Sequence, residues 1–262
     1  MSKTSLSIAV LVSAGRHPVS GIARACRSDA VALALGRRLA GDHLRVIHAG
    51  RVEEPSLRDY MAYGTGRIEV LTVNDGQDVV QPLTTHLKDV DIILAGSRAE
   101  VGGGSGMFPY RLARAMGRPL VGNVLDATID GNSVTVRGVT VRQFLPKGRR
   151  RGISAPVPIV LVVHPLAPAE LNYAHARRLA GRIEAVGTVT VPEGGDGSVW
   201  TLEPAPRRPI RLKAQDTKTG HARLQSAIVS EAKGGTVAFE GSSVDKAQIM
   251  LNYLREHRLV DF

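Results

Sequence analysis

A chain of 262 residues, 43% hydrophobic and 22% charged, has the make-up of a globular protein that buries a real core. Its single cysteine, Cys26, excludes an internal disulfide and any multi-cysteine zinc or iron–sulfur centre; the eight scattered histidines form no His-Glu-x-x-His or His-x-His pair, so no metal site is expected. The formal charge of +10 invites an acidic partner, but basic residues cluster only at Lys147–Arg151 and Arg207–Arg208, and 4% aromatic content is thin for base stacking, so no nucleic acid partner is expected.

Leu6–Ser13 reads as a first strand, closed by the loop Ala14-Gly-Arg-His-Pro18. The N-terminus lacks the continuous apolar core of a signal peptide, which points to a cytoplasmic protein. The longest apolar runs, such as Pro156–Val163, are too short to span a bilayer, so no membrane insertion is expected. Ser28 or Asp29 is positioned to cap a helix running to about Ala40. Leu44–Ala49 predicts a second strand, Pro55–Tyr63 a helix, Arg67–Val73 a third strand and Val79–Leu87 another helix. Val90–Gly96 is a short apolar run ending in glycine, the mark of a buried parallel strand, and Phe108–Gly117 reads as a helix after a glycine-rich loop.

Beyond that helix the pattern changes. Leu120–Ile129, Ser133–Arg137 and Val139–Phe144 are strand-like, with Asp130-Gly-Asn132 as a hairpin signal. Lys147–Gly152 reads as a basic loop and Pro156–Val163 as a further buried strand. From about Ala185 the composition turns to glycine and proline, then to a short strand at Gly235–Phe239 and a last helix from Ser243 to about His257, opened by a capping box at Ser242-Ser-Val-Asp245. The expected fold is α/β: a mostly parallel, doubly wound adenine-nucleotide-binding core over residues 1–185 with an antiparallel extension, and a C-terminal arm over residues 186–262 that ends in a helix. An arm without its own core predicts wrapping on another surface, and Trp200 within it predicts packing on that surface or on the core.

The chemistry concentrates in Val101-Gly-Gly-Gly-Ser-Gly106, a flexible loop between a strand's carboxyl end and a helix. Backbone amides of Gly102, Gly103, Gly104 and Gly106 with the Ser105 hydroxyl suit a phosphate; the competing reading is a flexible solvent connection. No Gly-Lys-Ser/Thr follows, which argues against phosphoryl transfer. Ser13 and Ala49, at the ends of the first two strands, either line an adenine or pack at strand ends. Arg16 suits an anionic ligand, since its guanidinium pairs two oxygens at once. Cys26 is either reactive or a small buried apolar residue. Arg149–Arg151 reads as solvated. No nucleophile–base pair or carboxylate dyad stands out, so the chain is read as a binding or carrier protein rather than an enzyme.

The order of elements resembles the β subunit of electron transfer flavoproteins along nearly the whole chain, most closely at Asp91-Ile-Ile-Leu-Ala-Gly96 and Leu112-Ala-Arg-Ala-Met-Gly-Arg-Pro119 with the strand and Asp-Gly hairpin that follow. Cys26-Arg-Ser-Asp29 stands where that family opens a helix with Asn-Pro-x-Asp; Asp29 fits the motif, Cys26 and Arg27 do not. The family's nucleotide loop has acidic residues followed by Thr-Gly-Gln, whereas this chain has Glu100-Val-Gly-Gly-Gly-Ser-Gly-Met107. The resemblance implies a heterodimer whose α subunit holds most of an FAD, with a buried adenine nucleotide, usually AMP, in the β subunit. It implies electron transfer from soluble flavin dehydrogenases to an acceptor such as a membrane quinone oxidoreductase. By the same resemblance His17 lies in a loop facing the flavin, the plainer reading being a surface histidine. Leu171 and Tyr173 lie in the family's partner-recognition loop, or else they cover the end of the sheet. The alternative to this family is a free-standing adenine-nucleotide-binding regulatory protein of related fold.

Overall fold

The computed structural model describes residues 6–74, 77–132, 135–188 and 239–256, with positions 219–221, 224 and 259–260 besides. Two compact units divide the chain, Met1–Trp200 and Thr201–Phe262. The first runs β1 (Ile8–Leu11), β2 (Ala14–Arg16), β3 (Ala23–Ala25), α1 (Arg27–Ala40), β4 (Arg45–Gly50), α2 (Leu57–Ala62), β5 (Arg67–Thr72), α3 (Val80–His86), β6 (Ile92–Gly96) and α4 (Phe108–Met116). It continues through β7 (Leu120–Asn132), β8 (Thr135–Phe144), β9 (Arg150–Pro156), β10 (Ile159–Val163), α5 (His175–Ala180) and β11 (Arg182–Thr188).

Among the described residues nine strands form one sheet in the order β11-β5-β4-β1-β6-β10-β7-β8-β9, while β2 and β3 make a separate hairpin. Every pairing from β11 to β7 is parallel; β7–β8 and β8–β9 are antiparallel. This is the expected α/β class with its antiparallel extension. Along β1 the side chains alternate between two cores. Ile8 and Val10 join Leu33 and Leu35 of α1 and Tyr60 and Met61 of α2 on one face. Ala9 and Leu11 join Leu83 of α3 and Leu112 of α4 on the other. Both faces of the central strands are dry, so β6 and β10 read as unbroken apolar runs rather than alternating ones.

Several boundaries differ from the sequence reading. Helix α1 begins at Arg27 after Cys26, which makes no side-chain cap. Neither Ser28 nor Asp29 caps it: the Arg27 N–H donates instead to Glu100 Oε1 at 3.2 Å, because Asp29 is turned inward. Asp130–Asn132 stays in the β7 ladder opposite Thr135–Gly138, so the hairpin signal lies inside the antiparallel β7–β8 pair. The two strands expected over 133–144 are one, since Gly138 keeps its pairing to both neighbours.

The basic segment is not all loop, because Arg150–Gly152 opens edge strand β9, whose exposed arginines face solvent. Pro156–Val163 is not one strand: β9 ends at Pro156 and β10 starts at Ile159, with the prolines at 156 and 158 unable to donate to a ladder. Strand β11 extends the sheet to Thr188 beside β5. The expected strand at 235–239 and Trp200 lie outside the described residues, apart from Phe239.

In the second unit, helix α6 spans Ser243–Glu256. Its capping box forms as expected: Ser242 N and Oγ donate to Asp245 Oδ2 at 2.9 and 2.8 Å, and Asp245 N donates to Ser242 Oγ at 3.2 Å. Among the described residues no helix is long and apolar enough to cross a membrane.

Gly36 of α1 shows how closely that helix is laid on the sheet. A β-carbon there would stand 2.6 Å from Val10 Cγ2 and 3.1 Å from Leu44 and Leu94. Alanine gains about 1 kcal/mol of intrinsic helix propensity over glycine, whereas overpacking a dry core costs about 1–3 kcal/mol. Gly36→Ala is therefore expected to lower the midpoint of urea unfolding; a midpoint equal to or above wild type would show that this contact is loose.

Candidate functional site

The strand order reverses at β1. The chain moves from β1 outward to β4 and β5, then returns to the other side of β1 at β6. The segments leaving β1 and β6 diverge at their carboxyl ends, and a crevice opens at such a switch point. Here it has a volume of about 830 Å³, lined by Leu11–Ala14 after β1, Ile47–Arg51 at the end of β4 and most of Ala95–Gly106 after β6.

The β6–α4 segment forms one wall and is fastened at its base. Ser97 N donates to Ser28 Oγ at 2.8 Å, and the two hydroxyls lie 3.1 Å apart. Glu100 accepts from Arg24 Nη2 at 3.0 Å while it caps α1. Gly102, Gly104 and Gly106 then adopt φ of 79°, 53° and 73°, a left-handed backbone that side-chain-bearing residues avoid. Gly106 has a second reason to be glycine, since a β-carbon would stand 2.8 Å from Ser97 O.

Asp29 lies beneath the crevice, 5% exposed. Its Oδ2 accepts from Ser13 N at 2.8 Å and Ser13 Oγ at 2.5 Å. Tyr60 Oη donates to Ser13 O at 2.8 Å and accepts from Cys26 N at 2.9 Å. Gly96 permits this closeness: a β-carbon there would meet Asp29 Oδ1 at 2.2 Å. Burial pushes the Asp29 carboxyl up to about 6, against the opposing hydrogen bonds from Ser13. Burial likewise raises the Tyr60 phenol and the Cys26 thiol.

His48 Nδ1 donates to Val12 O at 2.9 Å, which leaves Nε2 as an acceptor, and burial lowers its pKa so that the ring is neutral. Glu54 receives both Arg16 Nη1 at 2.6 Å and Nη2 at 3.0 Å; this pairing holds its carboxyl down at about 2.

Ser13, Arg16, Asp29, Ala49, Gly102, Gly103, Gly104, Ser105 and Gly106 all line the crevice. Cys26 does not: it is fully buried as the first residue before α1, its thiol 3.5 Å from Arg98 O. Nor does His17, which sits in the exposed turn of the β2–β3 hairpin with Nδ1 accepting from Val19 and Ser20 N–H at 3.4 and 3.2 Å. Leu171 is half-buried against the first core, whereas Tyr173 is 51% exposed, its ring edge-on to Tyr63 and its hydroxyl donating to Asp59.

The crevice also contains His48, Glu54 and Arg98, which the sequence reading passed over. Only Arg98 carried a local signal, as a cation two residues past the glycine that closes β6. In a smaller depression of about 370 Å³ at the amino ends of β4 and β5, Arg45 bridges Glu69 through two bonds and Arg37 donates to Tyr63 O. Among the described residues no group of three metal-ligating side chains converges.

Fold and site together define a doubly wound α/β protein with a glycine-walled crevice at its switch point. Residues 23–193 match the electron transfer flavoprotein domain. A protein of Chromohalobacter salexigens named electron transfer flavoprotein subunit beta is 32% identical over 97% of this chain and 96% of its own length. The chain belongs to the electron transfer flavoprotein family, on the β-subunit side.

Asp29 makes the stability of this unit depend on pH in an identifiable way. Its folded pKa of about 6 lies above the ordinary aspartate value of 3.8, so the folded state holds the proton more tightly than the unfolded state. Its effect is absent below pH 3.8 and grows into a penalty as pH rises to about 6 and beyond, amounting to about 3 kcal/mol. Asp29→Asn is expected to gain stability relative to wild type between about pH 4 and pH 7, read by urea unfolding across that range; parallel curves for the two proteins would remove Asp29 as the source.

Proposed function

We propose that this chain is the β subunit of a heterodimeric electron transfer flavoprotein, passing electrons from a soluble dehydrogenase to a respiratory acceptor such as a membrane quinone oxidoreductase. The observation that carries this reading is the near end-to-end likeness to a protein named as that subunit. In it the α subunit holds most of the FAD, and the arm that follows the sheet wraps on that partner.

The crevice suits an adenine nucleotide such as AMP. Amides of Gly102–Gly106 and the Ser105 hydroxyl would hold the phosphate; Ser13, Ala49 and the His48 Nε2 acceptor would border the base. Its role would be structural, as the resemblance to the family implies.

The FAD, when bound, supplies the electron chemistry. Toward it this chain would present the β2–β3 hairpin, where Val19 and Ile22 are 90% and 68% exposed. His17 Nδ1 is occupied by backbone N–H groups, so its proton sits on Nε2 as a donor at the same tip. Such a tip, apolar at Val19 and Ile22 with polar atoms at His17 and Ser20, suits the edge of a flavin ring enclosed by a second subunit.

For the dehydrogenase, the exposed apolar residues after β10 are Leu166, Tyr173 and Leu179; Leu171, drawn into the core edge, is a poorer anchor. Leu166→Ala is expected to raise the KM of the reducing dehydrogenase for this carrier about tenfold with little change in kcat. An unchanged KM would remove Leu166 from the docking surface.

Co-expression with a candidate α subunit, followed by flavin absorbance and chromatography of acid-released nucleotides, tests the reading. A coloured heterodimer containing adenine nucleotide is expected. A stable colourless monomer with neither nucleotide nor affinity for an α subunit would overturn it. Gly106→Val, which brings side-chain atoms against Ser97 O, should empty the nucleotide while the flavin stays; undiminished nucleotide would exclude this loop.

A further inference from the structure

Three guanidinium groups line the crevice, and they are not equivalent. Arg16 is spent on Glu54 through two hydrogen bonds. Arg51 is also engaged. Arg98 is different: among the described residues its guanidinium enters no hydrogen bond and no ion pair, although its main chain is firmly held.

The main chain is held on both sides. Ser97 is tied to Ser28 at the start of α1, and Arg98 O accepts from the buried Cys26 thiol. The guanidinium lies over the middle of the glycine wall, with Nε and one Nη 3.6 Å from where a Gly104 β-carbon would stand. A cation on an anchored main chain, with uncommitted donors facing a run of left-handed glycines, is arranged for an oxyanion with several acceptor oxygens. The planar fork of arginine meets such a group through two bonds at once.

We infer that Arg98 is the residue by which this crevice selects phosphorylated nucleosides over neutral ones, pairing the phosphate that the glycine wall holds from the other side. This rests on the reading of the crevice as a nucleotide site. It moves the anion-binding role away from Arg16, the residue to which the sequence alone pointed. Arg16 instead braces the hairpin against the β4–α2 loop, since Glu54 also accepts from Ser56 N at 3.1 Å.

The test uses the full chain stripped of nucleotide, titrated calorimetrically with AMP and separately with adenosine, as wild type, Arg98→Ala and Arg98→Lys. Arg98→Ala is expected to weaken AMP binding about tenfold or more while leaving adenosine affinity unchanged. Arg98→Lys should fall between, keeping charge but losing the paired geometry. The AMP affinity of wild type should also decline with added salt more steeply than that of Arg98→Ala.

If Arg98→Ala binds AMP as wild type does, the assignment of Arg98 fails and the nucleotide site stands. Equal weakening toward AMP and adenosine would reveal a merely structural role and also overturn it. If wild type binds neither ligand, the nucleotide reading falls and this inference with it.

Discussion

The carboxylate of Asp29, buried where α1 begins, is the tie on which the site depends. It takes both the main-chain and side-chain donors of Ser13, at the end of β1, and lies against Gly96, at the end of β6. The two central strands are thereby held to one helix terminus at the point where their connections part. Burying a carboxyl costs stability unless its oxygens are satisfied, and here Ser13 supplies the compensation. The raised pKa is the residue of that unfinished compensation.

From this tie the surrounding arrangement follows. With Asp29 turned inward, the first N–H of α1 is left for another acceptor, and Glu100 arrives from the segment after β6. Glu100 in turn holds Arg24 of the hairpin, so hairpin, helix and glycine wall share one anchor. The same economy of charge recurs across the unit. Arg38 and Arg142 converge on Asp126, Arg178 reaches Asp59, and Arg118 donates to the carbonyls of Leu87, Lys88 and Val90 behind α3. Exposed pairs of this kind add little stability individually; their use is to fix where neighbouring elements meet. Much of the arginine content is therefore committed inside the fold rather than displayed as a uniform basic surface.

Strand and helix identity was legible wherever periodicity or turn chemistry was strong. The apolar run at Ile92–Gly96, the glycine loop after it and the capping box at Ser242 all appear where the residues indicate. Errors arose where two local signals competed. Asp130-Gly131-Asn132 does mark the antiparallel β7–β8 pair, but its residues stay in the ladder, since Gly131 and Asn132 pair with Val136 and Thr135. Arg150–Gly152 has loop composition but forms an edge strand, because the edge leaves its long charged side chains in solvent. Leu171 and Tyr173 look alike in a loop, yet one packs on the core and the other on Tyr63.

Residue pattern alone could indicate the α/β class, the glycine-rich loop after β6 and the family likeness, because each is written in strings of neighbouring residues. The division of labour among charges could not be settled in that way. Arg16 and Glu54 stand 38 residues apart, Arg27 and Glu100 stand 73 apart, and the backbone beside Arg98 is held by Cys26 and Ser28 through contacts that span 72 and 69 residues of chain. Which arginine is paired and which faces the crevice depends on residues that are distant in the chain and adjacent only in the fold. Electrostatic pairing acts through space at a few ångströms, and only the tertiary fold brings those groups within that reach.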